Sequence, residues 1–161
     1  MFSLAPRLSF SARPVRAAAL TVAFLLSLTL AACSQEDRLT MHTAKGDFAF
    51  NLEIVDTPSG RAKGLMFRQE LAPDAGMLFD FKEQRPVSFW MQNTLIPLDM
   101  VFIDAKGVVK SVHVNARPLD TTAIPSGAPV QFVLEIAGGR SVEIGLKAGD
   151  TMVHPRVSTL K

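Results

Sequence analysis

One cysteine, Cys33, occurs in the 161 residues, so no disulfide can form within the chain. Histidine is nearly as scarce. His42, His113 and His154 lie far apart, and with no second cysteine to join them they make no zinc site of ordinary spacing. A triad of His113 with Asp99 or Asp120 and a serine can be drawn, but a chain of this length allows many such drawings. Neither G-x-S-x-G, nor a glycine-rich phosphate loop, nor H-E-x-x-H is present. Soft-metal ligation has no better support. Met66, Met77, Met91 and Met100 form no M-x-M or M-x-x-M run, and methionine is an ordinary filler of apolar cores. No cofactor is implied.

Acidic residues are missing from residues 1–32, which carry Arg7, Arg13 and Arg16. The apolar run AAALTVAFLLSLTLAA, Ala17 to Ala32, follows. A basic start before so short a run reads as an export signal rather than a permanent membrane span. The run closes on Leu30-Ala31-Ala32-Cys33, which resembles the lipobox of bacterial lipoprotein signals, where small residues precede a cysteine that is acylated and becomes the new N-terminus. The resemblance implies an exported protein held on a bacterial membrane through acylated Cys33, facing the periplasm or the cell exterior. Several acyl chains hold more firmly than the marginal grip of one. Serine at position 34, rather than aspartate, leaves onward transport to an outer membrane open.

Removing that segment takes away three of 17 basic residues and none of 15 acidic ones, which leaves 14 against 15, a net charge of −1. A nucleic-acid partner needs a basic surface, and the mature chain has no such excess. From Cys33 onward 129 residues remain, enough for one domain with its own core. Residues 1–32 are thus read as a signal, 33–38 (CSQEDR) as a tether reaching about 20 Å when extended, and 39–161 as a single domain.

Period-two patterning dominates that domain. Asp47 to Val55 puts Phe48, Phe50, Leu52 and Ile54 on one face and Asp47, Asn51 and Glu53 on the other, a half-buried strand. Val130 to Ile136 repeats the pattern, with Val130, Phe132, Leu134 and Ile136 inward. Leu98 to Ile103 and Val108 to Val114 read as a hairpin around Asp104-Ala105-Lys106-Gly107, whose glycine suits a left-handed position. Two short helices are expected. One runs from the capping Thr57 and Pro58 to Phe67, the other from Gly138 to Leu146. The proline-rich stretch from Arg117 to Pro129 is long enough for a flap. The fold expected is mainly β, a compact antiparallel sandwich or barrel-like domain with one or two short helices.

The polar candidates cluster in two places. Arg61 and Arg68 are seven apart, so a helix continuing that far would put both on one face, where paired guanidinium groups can clamp a carboxylate or phosphate. The stretch FWMQNTLIPLDMVFID, Phe89 to Asp104, sets Gln92-Asn93-Thr94 between two strand-like segments. Asn93 and Thr94 suit a turn; Asp99 needs solvent or a buried partner.

The blocks RAKGLMFR, GMLFDF and FWMQNTLIPLD, followed by Val-Leu-Glu-Ile-x-x-Gly (Val133 to Gly139) and Gly149-Asp150, resemble the domain-of-unknown-function 192 family over about residues 40 to 154. That resemblance implies a compact β-sandwich-like fold with short helices; it carries no reaction and no ligand. It singles out Arg61, Arg68, Asn93, Thr94 and Asp99, with Trp90 as an apolar wall. Gln92 departs from the family's usual lysine or arginine there, which weakens an anion site. The reading that results is a membrane-anchored envelope module that binds a small polar ligand or a protein partner. Its rivals are an envelope enzyme, such as a hydrolase, using Asp99 beside Arg61 and Arg68, and a purely structural protein.

Overall fold

The computed structural model describes residues 37–157; the signal-like segment, Cys33 and the start of the tether lie outside the described residues. In chain order the elements are β1 (Arg38–Thr43), β2 (Gly46–Val55), α1 (Pro58–Lys63), β3 (Ala75–Arg85), β4 (Ser88–Phe89), β5 (Leu98–Ile103), β6 (Val109–Ala116), β7 (Ile124–Pro125), β8 (Val130–Ala137), α2 (Arg140–Glu143) and β9 (Thr151–Val153). Seven strands form one sheet in the order β6-β5-β8-β3-β2-β1-β9, while β4 and β7 pair by themselves. The two edges of the large sheet approach each other at one end. Val109 N donates to Asp150 O (2.9 Å), Met152 N donates to Gly107 O (2.7 Å), and Val108 bridges Thr151. The sheet is therefore curled into a half-barrel, the mainly β architecture with two short helices that the patterning predicts.

One pair departs from the antiparallel expectation. β2 and β3 run parallel, from Asn51 opposite Ala75 to Val55 opposite Phe79. Parallel neighbours cannot be joined by a tight turn, so residues 56–74 make a crossover that includes α1. Thr57 Oγ1 caps α1 by accepting from Gly60 N (3.1 Å), and Pro58 opens it. The helix stops at Lys63 rather than reaching Phe67, because Gly64 takes φ +47° and breaks the turn. The β5–β6 hairpin closes as expected, with Asp104 Oδ1 accepting from Lys106 N and Val108 N (2.9 Å each) and Gly107 at φ +81°.

Both faces of the central strands are covered. Phe50, Leu52, Leu78, Val101, Phe132 and Leu134 pack inside the curl; Met77, Phe79, Met100, Phe102 and Val133 pack on its outer face. Leu65, Val87, Phe89, Met91 and Ile124, from the crossover and two later loops, cover that outer face. All six residues of β5 are buried. This corrects the reading of Val130–Ile136 as half-buried: Val133 and Glu135, on its other face, are buried too. Each large apolar side chain so buried contributes about 1.5–3 kcal/mol, and two such clusters are what lets a segment fold by itself. The Arg117–Pro129 stretch is no free flap. Ser126 N donates to Val87 O (2.9 Å), Ser111 Oγ donates to Ser126 O (2.8 Å), and β7 pairs with β4.

Candidate functional site

The outer face of the sheet is covered incompletely, and the gap is a cavity of about 300 Å³. Its buried floor consists of Leu65, Phe79, Thr94 and Glu135; its exposed rim includes Lys63, Trp90 and Gln92. Phe79 and Phe89 meet edge to face with ring centres 5.0 Å apart, and Phe81 lies 6.3 Å from Phe89, so one wall is aromatic. Gly64 keeps the floor open: a Cβ there would stand 3.2 Å from the Phe79 ring and 3.9 Å from Glu135 Oε2.

Glu135 is the anomaly. Strand alternation puts it on the outer face beside Met77 and Met100, its cross-strand partners in β3 and β5, both buried. It is 4% exposed, and its Oε2 is buried with no hydrogen-bond partner. A carboxylate in such a place costs several kcal/mol. Burial, with no offsetting cation, pushes its carboxyl up to about 8. At neutral pH Glu135 therefore carries a proton, and it offers the cavity one O–H donor and an acceptor.

The predicted site residues separate into two groups. Arg61, Trp90 and Thr94 line the cavity, together with Gln92. Arg61 is committed elsewhere: its Nη1 donates to Asp56 O (2.6 Å) and Asp80 O (3.0 Å), and its guanidinium lies 5.0 Å from the Phe81 ring centre. The others stand outside. Arg68 lies beyond the end of α1 and pairs with Glu53 Oε2 (2.5 Å), so the two arginines do not share a helical face and form no clamp. Asn93 sits at φ +56° in a turn closed by Thr94 N donating to Met91 O (3.1 Å), the turn its side chain suggests. Asp99 is 0% exposed on the inner face. Its Oδ1 accepts from Asn115 N and Gly139 N, its Oδ2 from Ser141 N (2.8 Å each) and Ser141 Oγ (2.5 Å). Those four bonds tie α2 to the sheet and supply the buried partner the sequence demands; Asp120 and the arginines play no part in it.

Glu135 escaped the sequence reading, although it stands in the Val-Leu-Glu-Ile block. The usable signal was an acid flanked by Leu134 and Ile136 in the middle of a strand. Among the described residues one other buried side-chain atom, Arg140 Nε, lacks a hydrogen-bond partner; it lies away from this cavity, on a guanidinium whose Nη1 pairs with Glu143 (2.6 Å). Lys82 and Arg156 hold Asp56 down at about 2 by hydrogen bonds. Burial drives Asp80 upward, but bonds from Lys82, Arg156 and Gln131 outweigh it and leave the carboxyl low. A second cavity of about 360 Å³ reaches His113, Asn115, Arg117 and Asp120, without a buried polar atom lacking a partner among them. Met77, Met91 and Met100 are buried in the outer cluster, as core packing requires. No group of three or more metal-ligating side chains occurs among the described residues.

Residues 40–154 match the DUF192 family, described as Uncharacterized ACR. No curated protein matches the chain significantly. A crystal structure of a "putative transcription regulator" from Sinorhizobium meliloti 1021 is 42% identical, with a TM-score of 0.72, over 74% of this chain and 93% of that one. A second, of a protein of unknown function from Novosphingobium aromaticivorans DSM 12444, is 39% identical, with a TM-score of 0.71, over 72% of this chain and 83% of the other. With the family pattern spanning the whole half-barrel except the first two residues of β1, this chain belongs to the DUF192 family.

Proposed function

We propose that this protein is a lipid-anchored envelope module that binds a small uncharged ligand in the cavity floored by Glu135. The observation that carries the reading is the buried Oε2 of Glu135, without a partner, at the base of a 300 Å³ space. A buried polar atom normally finds a hydrogen-bond partner, and an orphan in a cavity marks where a ligand supplies one. A protonated carboxyl pairs with a group that both accepts and donates, as a carboxamide, lactam or N-acetyl group does. The aromatic wall and Leu65 suit an apolar or planar body beside that head. A free anion finds no clamp, since Arg61 is held by two carbonyls and position 92 is an uncharged glutamine.

The test is a thermal-shift screen of the domain starting at Gln35, using N-acetyl sugars, muropeptides, carboxamides, organic acids, phosphorylated metabolites and metals. A binder present at a hundred times its Kd stabilises by about 2.7 kcal/mol. That shift is expected for acetamido or carboxamide compounds, and is expected to vanish in Glu135→Leu while the variant keeps its circular dichroism. A shift that survives in Glu135→Leu would overturn the assignment.

A catalytic reading has one specific observation in its favour, and it concerns Glu135 rather than Asp99. A carboxyl that titrates near 8 can hold or release a proton at neutral pH, as a general acid or base must. Mass spectrometry of each stabilising compound after incubation separates the two: unchanged compound means binding alone, a product lost in Glu135→Gln means turnover.

The anchor is argued from the sequence alone; no helix among the described residues is long and apolar enough to cross a membrane. Cys33→Ser is expected to release the protein from the membrane fraction or leave it unprocessed on a gel. A variant that fractionates and migrates like the natural protein would remove the anchor from the proposal. The "putative transcription regulator" of the similar structure does not redirect it. Among the described residues the helices have six and four residues, too short to read a major groove, and the mature chain is not basic.

A further inference from the structure

Four large apolar side chains are exposed around one turn. Phe67 is 64% exposed, Leu119 59%, Trp90 53% and Leu95 40%. Their backbones are joined there: Phe67 N donates to Asn93 O (2.9 Å), Leu119 N to Thr94 O (3.1 Å), and Met91 N, next to Trp90, to Asp120 O (2.8 Å). Phe67 and Leu119 also hold left-handed backbone, at φ +64° and +62°, which costs bulky residues about 1–2 kcal/mol each. The fold thus holds strained backbone at two positions whose side chains gain little burial in return. Trp90 belongs to the cavity rim as well, so the patch adjoins the mouth.

We propose that this face docks on a phospholipid bilayer. Chain length argues for that occupant over a second copy. The described chain begins at Asp37, whose carbonyl accepts from Leu52 N (2.7 Å); the next residue, Glu53, pairs with Arg68, the neighbour of Phe67. Only Ser34, Gln35 and Glu36 separate Asp37 from Cys33, a reach of about 14 Å. An acylated Cys33 would therefore keep the Phe67 end of the domain at the membrane, where tryptophan and phenylalanine favour the interface. Only this reach argument rests on the anchoring reading; the apolar patch stands without it. The cavity mouth would then open toward the bilayer surface.

Trp90 is the single tryptophan, so intrinsic fluorescence reports this face directly. The domain starting at Gln35 is mixed with vesicles of equal parts phosphatidylcholine and phosphatidylglycerol, and co-sedimentation and the emission maximum are followed. Expected results are co-sedimentation, a shift of Trp90 emission to shorter wavelength, and little change when salt is raised. Phe67→Asn with Leu119→Asn, which suits left-handed backbone, is expected to fold at least as stably yet lower the vesicle partition about a hundredfold. No emission shift and no co-sedimentation would overturn the proposal. So would binding abolished by salt, or a dimer in sedimentation analysis that the double variant dissolves while vesicles stay unbound. Glu135→Leu is expected to leave the partition unchanged, so loss of the cavity's ligand and loss of this surface are separate results.

Discussion

Glu135→Gln is expected to melt higher than the natural protein at about pH 8, with the difference closing as the pH falls toward about 4.5. The unfolded side chain loses its proton near 4.5, whereas the folded one keeps it up to about 8. Between those values the folded state binds a proton the unfolded state does not, so stability falls as pH rises, by about 1.4 kcal/mol per unit. Across the window the loss amounts to roughly 3–5 kcal/mol, a large part of the 5–15 kcal/mol that holds an ordinary domain together. Glutamine does not ionise and takes none of this loss. Its amide adds one unpartnered donor, a cost that does not change with pH, so the pH dependence of the difference isolates the charge. Urea midpoints of both proteins at several pH values check it. Parallel curves would mean that Glu135 is ionised and paired in the folded state, and the cavity reading would lose its main support.

Asp99→Ala is expected to cost about 3–5 kcal/mol, a large share of the 5–15 kcal/mol that holds an ordinary domain together. Alanine strands three backbone donors, Asn115 N, Gly139 N and Ser141 N, together with the Ser141 hydroxyl. The Ser141 amide and hydroxyl lie where water is excluded, since Asp99 and Ser141 are both fully buried, while the bonds from Asn115 N and Gly139 N are partly buried. Asn at this position keeps the shape but turns an NH2 toward donors already present, so Asp99→Asn is expected to lose somewhat less. Urea unfolding followed by circular dichroism measures both. The decisive second readout is binding per folded molecule, by vesicle partition or by whichever compound shifts the natural protein: it is expected to be unchanged in Asp99→Asn. A stable Asp99→Ala that has lost binding would return Asp99 to the chemistry and contradict its place on the inner face.

Much of the local structure was legible because neighbours in sequence cause it. Thr57 and Pro58 start a helix by capping and by a preset φ; Asp104 and Gly107 make a turn; Asn93 accepts a left-handed backbone that few other residues tolerate. The alternation of Phe48, Phe50, Leu52 and Ile54 places β2 with one face in the core, as found. The pairing of Arg61 with Arg68 was not legible, because one glycine, Gly64, ends the helix four residues before Arg68. Glycine's tolerance of either backbone hand does not announce which one it takes.

By itself the sequence determined the class of fold, the family, the turns and caps, and the expectation of an exported, acylated chain. Those follow from periodicity, short-range hydrogen bonding and motifs that need only a few adjacent residues. Tertiary structure alone decided which acid matters. Asp99 and Glu135 both sit in apolar strands, but β5 turns Asp99 inward to four donors, while β8 turns Glu135 outward beside a gap where no donor bonds its Oε2. Which loops cover the outer face, and where they leave it open, depends on contacts between segments tens of residues apart. Burial converts the same carboxyl into a satisfied clamp in one place and a protonated, unpartnered group in the other, because desolvation is set by what packs over a side chain rather than by what flanks it in the chain.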